Sequence, residues 1–208
     1  MPQETVHVFV FDTLSDWEPC YALAGINNPM FQLQPGRYAV TTVGPSIEPI
    51  KTMGGITVLP DMSLDALEPS ESAMLILPGG EAWDQGQHGE AVEKARAFLT
   101  AGVPVAAICG ATAALARGGL LDTRRHTSNM RDYLKATGYR GAGLYQDEPA
   151  VTDGLVITAG GLAPIDFACH IFRQLAVFTE PTLEAWRLLF KTGDPSHYLA
   201  LMESSGGS

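Results

Sequence analysis

Residues able to do chemistry concentrate around Cys109. The run Val103-Pro104-Val105-Ala106-Ala107-Ile108 reads as a buried strand, Cys109-Gly110 as a sharp turn, and Ala111 to Arg117 as a helix. The thiol therefore sits where a strand hands over to a helix, in a nucleophile-elbow arrangement with sulfur in place of hydroxyl. A helix N-terminus there favours a thiolate and lowers the thiol pKa. Gly110 admits close approach of a substrate, and its N–H can meet a developing oxyanion. Leu75-Ile76-Leu77 runs into Pro78-Gly79-Gly80, a second apolar strand ending in a flexible loop. The N–H of Gly80 is a second oxyanion donor if the two loops are neighbours. Cysteine also ranks among the residue types most often buried as core filler, but the glycine elbow and facing Gly-Gly loop favour chemistry here. Cys20 and Cys169 lack such surroundings and read as helix-face packing.

Other candidates are less defined by spacing. His126, in Arg124-Arg125-His126-Thr127-Ser128-Asn129, is either a general base for the thiol or a polar surface residue. Glu18 falls near the carboxyl end of the first strand, three residues after Ser15, which fits a capping box. Trp83, in Glu81-Ala82-Trp83-Asp84, either shapes a pocket or anchors a loop. His7, His88, His170 and His197 show no metal spacing, and no CxxC, HExxH or Walker loop occurs. Neither a metal nor a cofactor is expected.

The elements that must position these groups alternate strand and helix. Val6 to Phe11, Tyr38 to Val43, Ile56 to Leu59, Met74 to Leu77 and Val103 to Ile108 read as strands, and Ala150 to Thr158 as a hairpin turning at Asp153-Gly154. Helices are expected from Ser15, over 63–67, 90–101, 111–117 and 130–136, and finally over 164–178 and 183–191. The middle strands are uniformly apolar, which predicts a mostly parallel sheet covered on both faces: an α/β, three-layer, doubly wound architecture. Ligand sites in such sheets lie at the carboxyl ends of strands. Both glycine loops fall there.

The 208 residues suit one domain, read as 1–202 with a flexible tail over 203–208. A formal net charge of -10 without any compensating basic cluster argues against nucleic acid as partner. No apolar run is long enough for a membrane helix, and MPQETVHVFVF has no basic n-region or cleavage site, so neither membrane nor signal peptide is expected. Three cysteines without framework spacing fit reduced thiols, hence a cytoplasmic protein.

Taken together, Asp16-Trp17-Glu18, Leu75-Ile76-Leu77-Pro78-Gly79-Gly80, Ala107-Ile108-Cys109-Gly110-Ala111-Thr112, His126-Thr127 and Gly160-Gly161 with Ala163-Pro164-Ile165-Asp166-Phe167-Ala168 resemble the ThiJ/PfpI superfamily. The resemblance runs from about Val6 to Phe178, and its Asp-Trp-Glu is similar to that of the bacterial YdeA/YoaZ-like branch. It implies a flavodoxin-like, class I glutamine amidotransferase-like sheet and a homodimer. Cys109 would be the nucleophile, Glu18 a protonated carboxylic acid on the sulfur, and His126 the nearby imidazole. The backbones of Gly80 and Gly110 would form the oxyanion hole, and Gly79, Trp83, Gly160 and Gly161 the substrate pocket. Two departures matter. Protease-like and glyoxalase branches carry His where this chain has Gly110, which argues against a compact Cys-His dyad, and no His-x-Glu follows for glutaminase chemistry. The expected activity is hydrolysis of an activated carbonyl in a small carbonyl or amide substrate, glyoxalase- or deglycase-like. A redox or stress sensor working through Cys109 oxidation, and a cysteine peptidase or amidase, are the alternatives.

Overall fold

The computed structural model describes residues 3–205. In chain order it forms β1 (Glu4–Phe9), α1 (Trp17–Asn27), β2 (Tyr38–Gly44), β3 (Ile50–Lys51), β4 (Thr57–Val58), β5 (Met62–Ser63), β6 (Met74–Leu77), α2 (Glu81–Asp84), α3 (Gly89–Thr100), β7 (Val105–Ile108), α4 (Gly110–Arg117), α5 (Arg131–Lys135), β8 (Ala150–Asp153), β9 (Val156–Ala159), α6 (Pro164–Leu175), α7 (Glu180–Thr192) and α8 (Pro195–Ser205). Among the described residues, seven strands make one sheet in the order β5-β2-β1-β6-β7-β9-β8. Neighbours run parallel except β8 and β9, which are antiparallel. That hairpin turns at Gly154, whose φ of 59° suits glycine.

Successive strand residues point to opposite faces, and every residue of β6, β7 and β9 is buried. Both faces of the central sheet are therefore covered, which explains the uninterrupted apolar runs. Helices α1 and α6 pack together with α7 and α8 beyond them, while α3 and α4 form a second group with α2. The core includes residues from Val6 to Leu201.

From β1 the chain moves outward to β2 and β5, then returns to β6 on the other side of β1. This is the topological switch point, where loops leave β1 and β6 in opposite directions and open a crevice. The loop after β1 is braced by the separate β3–β4 hairpin. Thr13 N–H donates to the Lys51 carbonyl at 2.8 Å, and Met53 N–H to the Leu14 carbonyl at 2.9 Å. Asp16 Oδ2 accepts from Gly54 N–H at 2.6 Å.

Two expectations are corrected. The chain has a further helix, α8, which reaches Ser205, so residues 203–205 are helical rather than tail; 206–208 lie outside the described residues. Pro195 after Asp194 opens it, a position where the missing N–H of proline costs nothing. The capping box at Ser15 also fails. Asp16 holds the N-cap position of α1 without a side-chain cap bond, because its carboxylate grips Gly54 instead.

Candidate active site

At the end of β7 the backbone turns through Cys109 with φ 56° and ψ -124°. A non-glycine residue there costs about 1–3 kcal/mol, so the surroundings must enforce it. They do so at both ends of the residue. Cys109 N–H donates to the Ala159 carbonyl at 3.0 Å, extending the β7–β9 ladder, while its carbonyl accepts from Thr112 N–H at 3.0 Å. Thr112 Oγ1 donates to the same carbonyl at 2.6 Å and pairs with Ser128 Oγ at 2.6 Å.

Two glycines clear space for the sulfur. A Cβ on Gly79 would lie 2.5 Å from both Cys109 Cβ and Glu18 Oε2. On Gly161 it would lie 2.9 Å from Cys109 Sγ and 3.0 Å from Glu18 Oε1. Any larger residue at either position would collide with the sulfur–carboxyl pair. Glycine is thus required here by close approach.

Glu18 is 1% exposed, and Gly79 N–H donates to its Oε2 at 2.7 Å. The residue is on the first turn of α1 but faces across the switch point to β6 and β7. Burial pushes its carboxyl up, against the opposing pull of Cys109, the Gly79 N–H and Ser15. The thiol does not follow the expectation of an acidified elbow. Burial, and next the charge of Glu18, push Cys109 up to about 11, while Asn129 and the Gly110 N–H pull it down. Desolvation outweighs the helix N-terminus here. Burial raises both members of the pair, and with Cys109 held at about 11 the resting sulfur is a thiol.

The remaining predicted residues divide. His126 is fully buried and its ring is committed on both sides: Nδ1 lies 2.7 Å from the Arg124 carbonyl and Nε2 2.8 Å from Tyr139 Oη. A carbonyl can only accept, so Nδ1–H donates to it and Nε2 accepts from the tyrosine hydroxyl. Burial lowers this imidazole, which is neutral and spent on structure. It supplies no base to Cys109. Trp83 is fully buried, its indole N–H donates to the Pro78 carbonyl at 2.8 Å, and its ring packs on Phe9 and Phe11. It anchors the core instead of lining a pocket. Gly80 is pressed against the Phe11 ring and the Thr13 carbonyl, and its own carbonyl faces Gly110; of the expected glycines, Gly160 and Gly161 line the cavity, whereas Gly79, Gly80 and Gly110 stand behind its wall. Cys20, expected to be packed, is exposed, while Cys169 is buried.

Cys109 opens on a cavity of about 850 Å³ whose wall includes Glu18, Asn129, Gly160 and Gly161. Exposed Trp17, Met53, Met130 and Leu162 give it an apolar rim. Trp17 Nε1–H donates to the Gly161 carbonyl at 3.2 Å, tying rim to wall. Arg131, the one cation in the lining among the described residues, is held by Asp147 at 3.2 Å and lies over the Tyr145 ring at 4.8 Å. With Glu148 also present, the cavity suits neutral molecules better than anionic ones. Among the described residues no group of His, Cys, Asp and Glu could hold a metal ion, and no helix is long and apolar enough to cross a membrane.

Asn129 is the residue that reading the sequence missed. Its Nδ2 donates to Cys109 Sγ at 3.3 Å and its Oδ1 accepts from Gly161 N–H at 2.8 Å. The only signal in the chain was its place beside His126-Thr127-Ser128, a segment of interest for another residue.

The sequence pattern of the DJ-1/PfpI family matches residues 4–174. The protein named uncharacterized protease YoaZ of Bacillus subtilis is 39% identical over 207 residues, covering 98% of this chain and 99% of YoaZ. The deglycase PfpI of Pyrococcus furiosus is 37% identical over 103 residues, covering 48% of this chain and 60% of that protein. Among solved structures, the thiJ/pfpI family protein of Bacillus anthracis superposes with a TM-score of 0.91 at 42% identity, covering 99% of both chains.

Proposed function

The chain belongs to the DJ-1/PfpI family, and from that premise we propose that it is a cysteine-dependent hydrolase acting on the activated carbonyl of a small neutral molecule, of glyoxal or early glycation-adduct type. Relatives named protease and deglycase support a hydrolase-like activity in the family. The observation that carries the finer reading is the Cys109–Glu18 pair, flanked by Gly79 and Gly161 on a cavity with an apolar rim.

The chemistry follows from the paired groups. Glu18 as carboxylate takes the thiol proton, and the sulfur adds to the aldehyde carbon: a C–S bond forms and the carbonyl π pair moves to oxygen. The protonated Glu18 returns its proton to that oxygen, giving a hemithioacetal. In an α-ketoaldehyde, removal of the former aldehyde proton gives an enediol, and reprotonation at the adjacent carbon gives a thioester. The aldehyde carbon is oxidised and its ketone neighbour reduced within one molecule, so no external oxidant is consumed. Water then cleaves the thioester to a 2-hydroxy acid and restores the thiol. One buried carboxyl serves each transfer. The upward push of burial on Glu18 favours the return of the proton once the carboxylate has taken it.

A peptidase has weaker support, because the imidazole that would protonate an amine leaving group is sealed against Arg124 and Tyr139. Methylglyoxal turnover by the wild type and by Cys109→Ala tests the proposal. The variant is expected to lose turnover by on the order of a thousandfold. Equal turnover by the two proteins would overturn it.

A further inference from the structure

We propose that Asn129 is a catalytic residue: its side-chain N–H is the fixed donor that holds negative charge first on the Cys109 sulfur and then on the oxygen of the adduct. The role as an oxyanion donor rests on the carbonyl reading above; the role toward the sulfur does not.

Three observations converge on it. Asn129 Nδ2 lies 3.3 Å from Cys109 Sγ, inside the cavity wall. Its orientation is fixed at the other end, since Oδ1 accepts from Gly161 N–H at 2.8 Å. A backbone N–H can only donate, so the oxygen must face Gly161 and the NH₂ must face the sulfur. The third observation is the loss of the alternative. The imidazole of His126, the other side chain expected beside the sulfur, spends both nitrogens elsewhere. Asn129 therefore joins the Gly110 N–H as a donor toward the sulfur.

The loop that carries Asn129 is rigid where it matters. Thr127 N–H donates to Thr158 Oγ1 at 2.9 Å, Thr127 Oγ1 to the Glu148 carbonyl at 2.7 Å, and Ser128 Oγ pairs with Thr112 Oγ1 at 2.6 Å. The amide thus approaches the sulfur from a segment pinned to β9 and α4. A donor preset in this way loses little on reorganisation when charge develops. An amide also has no proton to lose between pH 5 and 9, unlike an imidazole. The amide then adds no titration of its own to the pH profile of the reaction.

Addition moves charge along a short path. As the C–S bond forms, the electron pair leaves sulfur and the carbonyl oxygen becomes anionic about one bond further into the cavity. Asn129 Nδ2 carries two hydrogens, so one amide can follow the charge from sulfur to oxygen until Glu18 delivers the proton.

The experiment is the pH dependence of Cys109 alkylation by iodoacetamide in wild type, Asn129→Ala and Asn129→Asp, with thermal melts showing that each variant is folded. Asn129→Asp keeps an oxygen for the Gly161 N–H and exchanges the donor for a charged acceptor. Asn129→Ala removes both without adding charge. The midpoint is expected to move alkaline by about one unit in Asn129→Ala, a tenfold fall in thiolate below the midpoint, and further in Asn129→Asp. An unchanged midpoint in folded Asn129→Ala would overturn the proposal, whatever Asn129→Asp does, since its shift would then report charge alone. Methylglyoxal turnover is the second arm. A tenfold or greater fall in kcat with KM little changed supports the oxyanion role, and unchanged kcat removes it. If the wild type has no turnover but the midpoints move as expected, the donor stands and the carbonyl reading falls.

Discussion

Trp17 separates two cavities that differ in almost everything except that each has a cysteine on its wall. On one side is the space of about 850 Å³ reached by Cys109. On the other is a groove of about 460 Å³ between α1, α7 and α8, lined by Tyr21, Trp186, Phe190 and Tyr198, with Cys20 at its edge. Both thiols are raised above their ordinary value by burial and next by a carboxylate, Glu18 for one and Asp16 for the other. Acidity therefore does not distinguish them. What differs is the company of the sulfur. Cys20 Sγ–H donates to the Asp16 carbonyl at 2.8 Å, a helix-internal bond that leads nowhere. Cys109 Sγ meets an amide donor, an elbow N–H and a carboxyl that can take its proton. Fixed polar partners, rather than volume or a low pKa, set the Cys109 side apart.

A paired glycine substitution should break this comparison if it is wrong. Gly161→Ala would place a methyl group 2.9 Å from Cys109 Sγ. Turnover is expected to fall by at least about a hundredfold with little change in melting temperature, because the reacting atoms are displaced while the core is untouched. Gly25→Ala, in the wall of the apolar groove, would drive a methyl into the fully buried Phe172 ring. It is expected to cost about 1–3 kcal/mol of stability and leave turnover per folded molecule unchanged. Chemical denaturation and steady-state rates on the two variants check both arms. Normal turnover in Gly161→Ala would remove the argument from close approach.

Glu18→Gln sharpens the contrast between acidity and reactivity. Removing the negative charge beside Cys109 lowers its alkylation midpoint, so the thiol becomes easier to ionise. Turnover is nevertheless expected to fall roughly a hundredfold or more, because the amide can neither take nor return a proton. A variant that alkylates at lower pH and turns over faster would show that Glu18 acts only as an inhibitory charge.

The smallest effect concerns alkaline stability. The Cys109 thiol is raised from 9.0 to about 11 in the folded protein, so the native state holds its proton more tightly than the unfolded chain does. That contribution is complete below pH 9.0 and is lost as pH rises through about 11. The melting temperature of wild type relative to Cys109→Ala should therefore decline across this window and be flat below it. A flat difference throughout would mean that the thiol ionises equally well in both states.

Much of this was legible in the sequence. The apolar runs at Met74–Leu77 and Val105–Ile108 gave their strands because burial on both faces removes any alternation. The elbow was legible because strand, Cys109-Gly110 and helix are contiguous. Glu18, Gly79 and Gly161 were named, but only the resemblance gave Glu18 its place at the sulfur. The misreadings share a cause, since each depended on where a side chain turns. Glu18 three residues after Ser15 has capping-box spacing, yet its carboxyl crosses to β6. His126 was a plausible base until its ring met a carbonyl two residues away and a tyrosine thirteen away. Asn129 was invisible because its two partners lie 20 and 32 residues distant. The pKa of Cys109 went wrong for a related reason: a helix N-terminus can be read locally, whereas desolvation depends on everything packed around it.

Those separations also say when the site comes into being. The bond from Gly79 to Glu18 spans 61 residues, that from Asn129 to Cys109 spans 20, and that from Gly161 to Asn129 spans 32. Each closes a loop whose entropy must be offset by the contacts it brings together, so the site depends on β1, β6, β7 and β9 being packed side by side. A chain that stops before Ala159 already contains Cys109 and Glu18 but has neither Gly161, which turns Asn129 toward the sulfur, nor the Ala159 carbonyl that holds the elbow. The surroundings of Cys109 are complete only when β7 and β9 are paired, so the state of this one thiol reports that the sheet has closed.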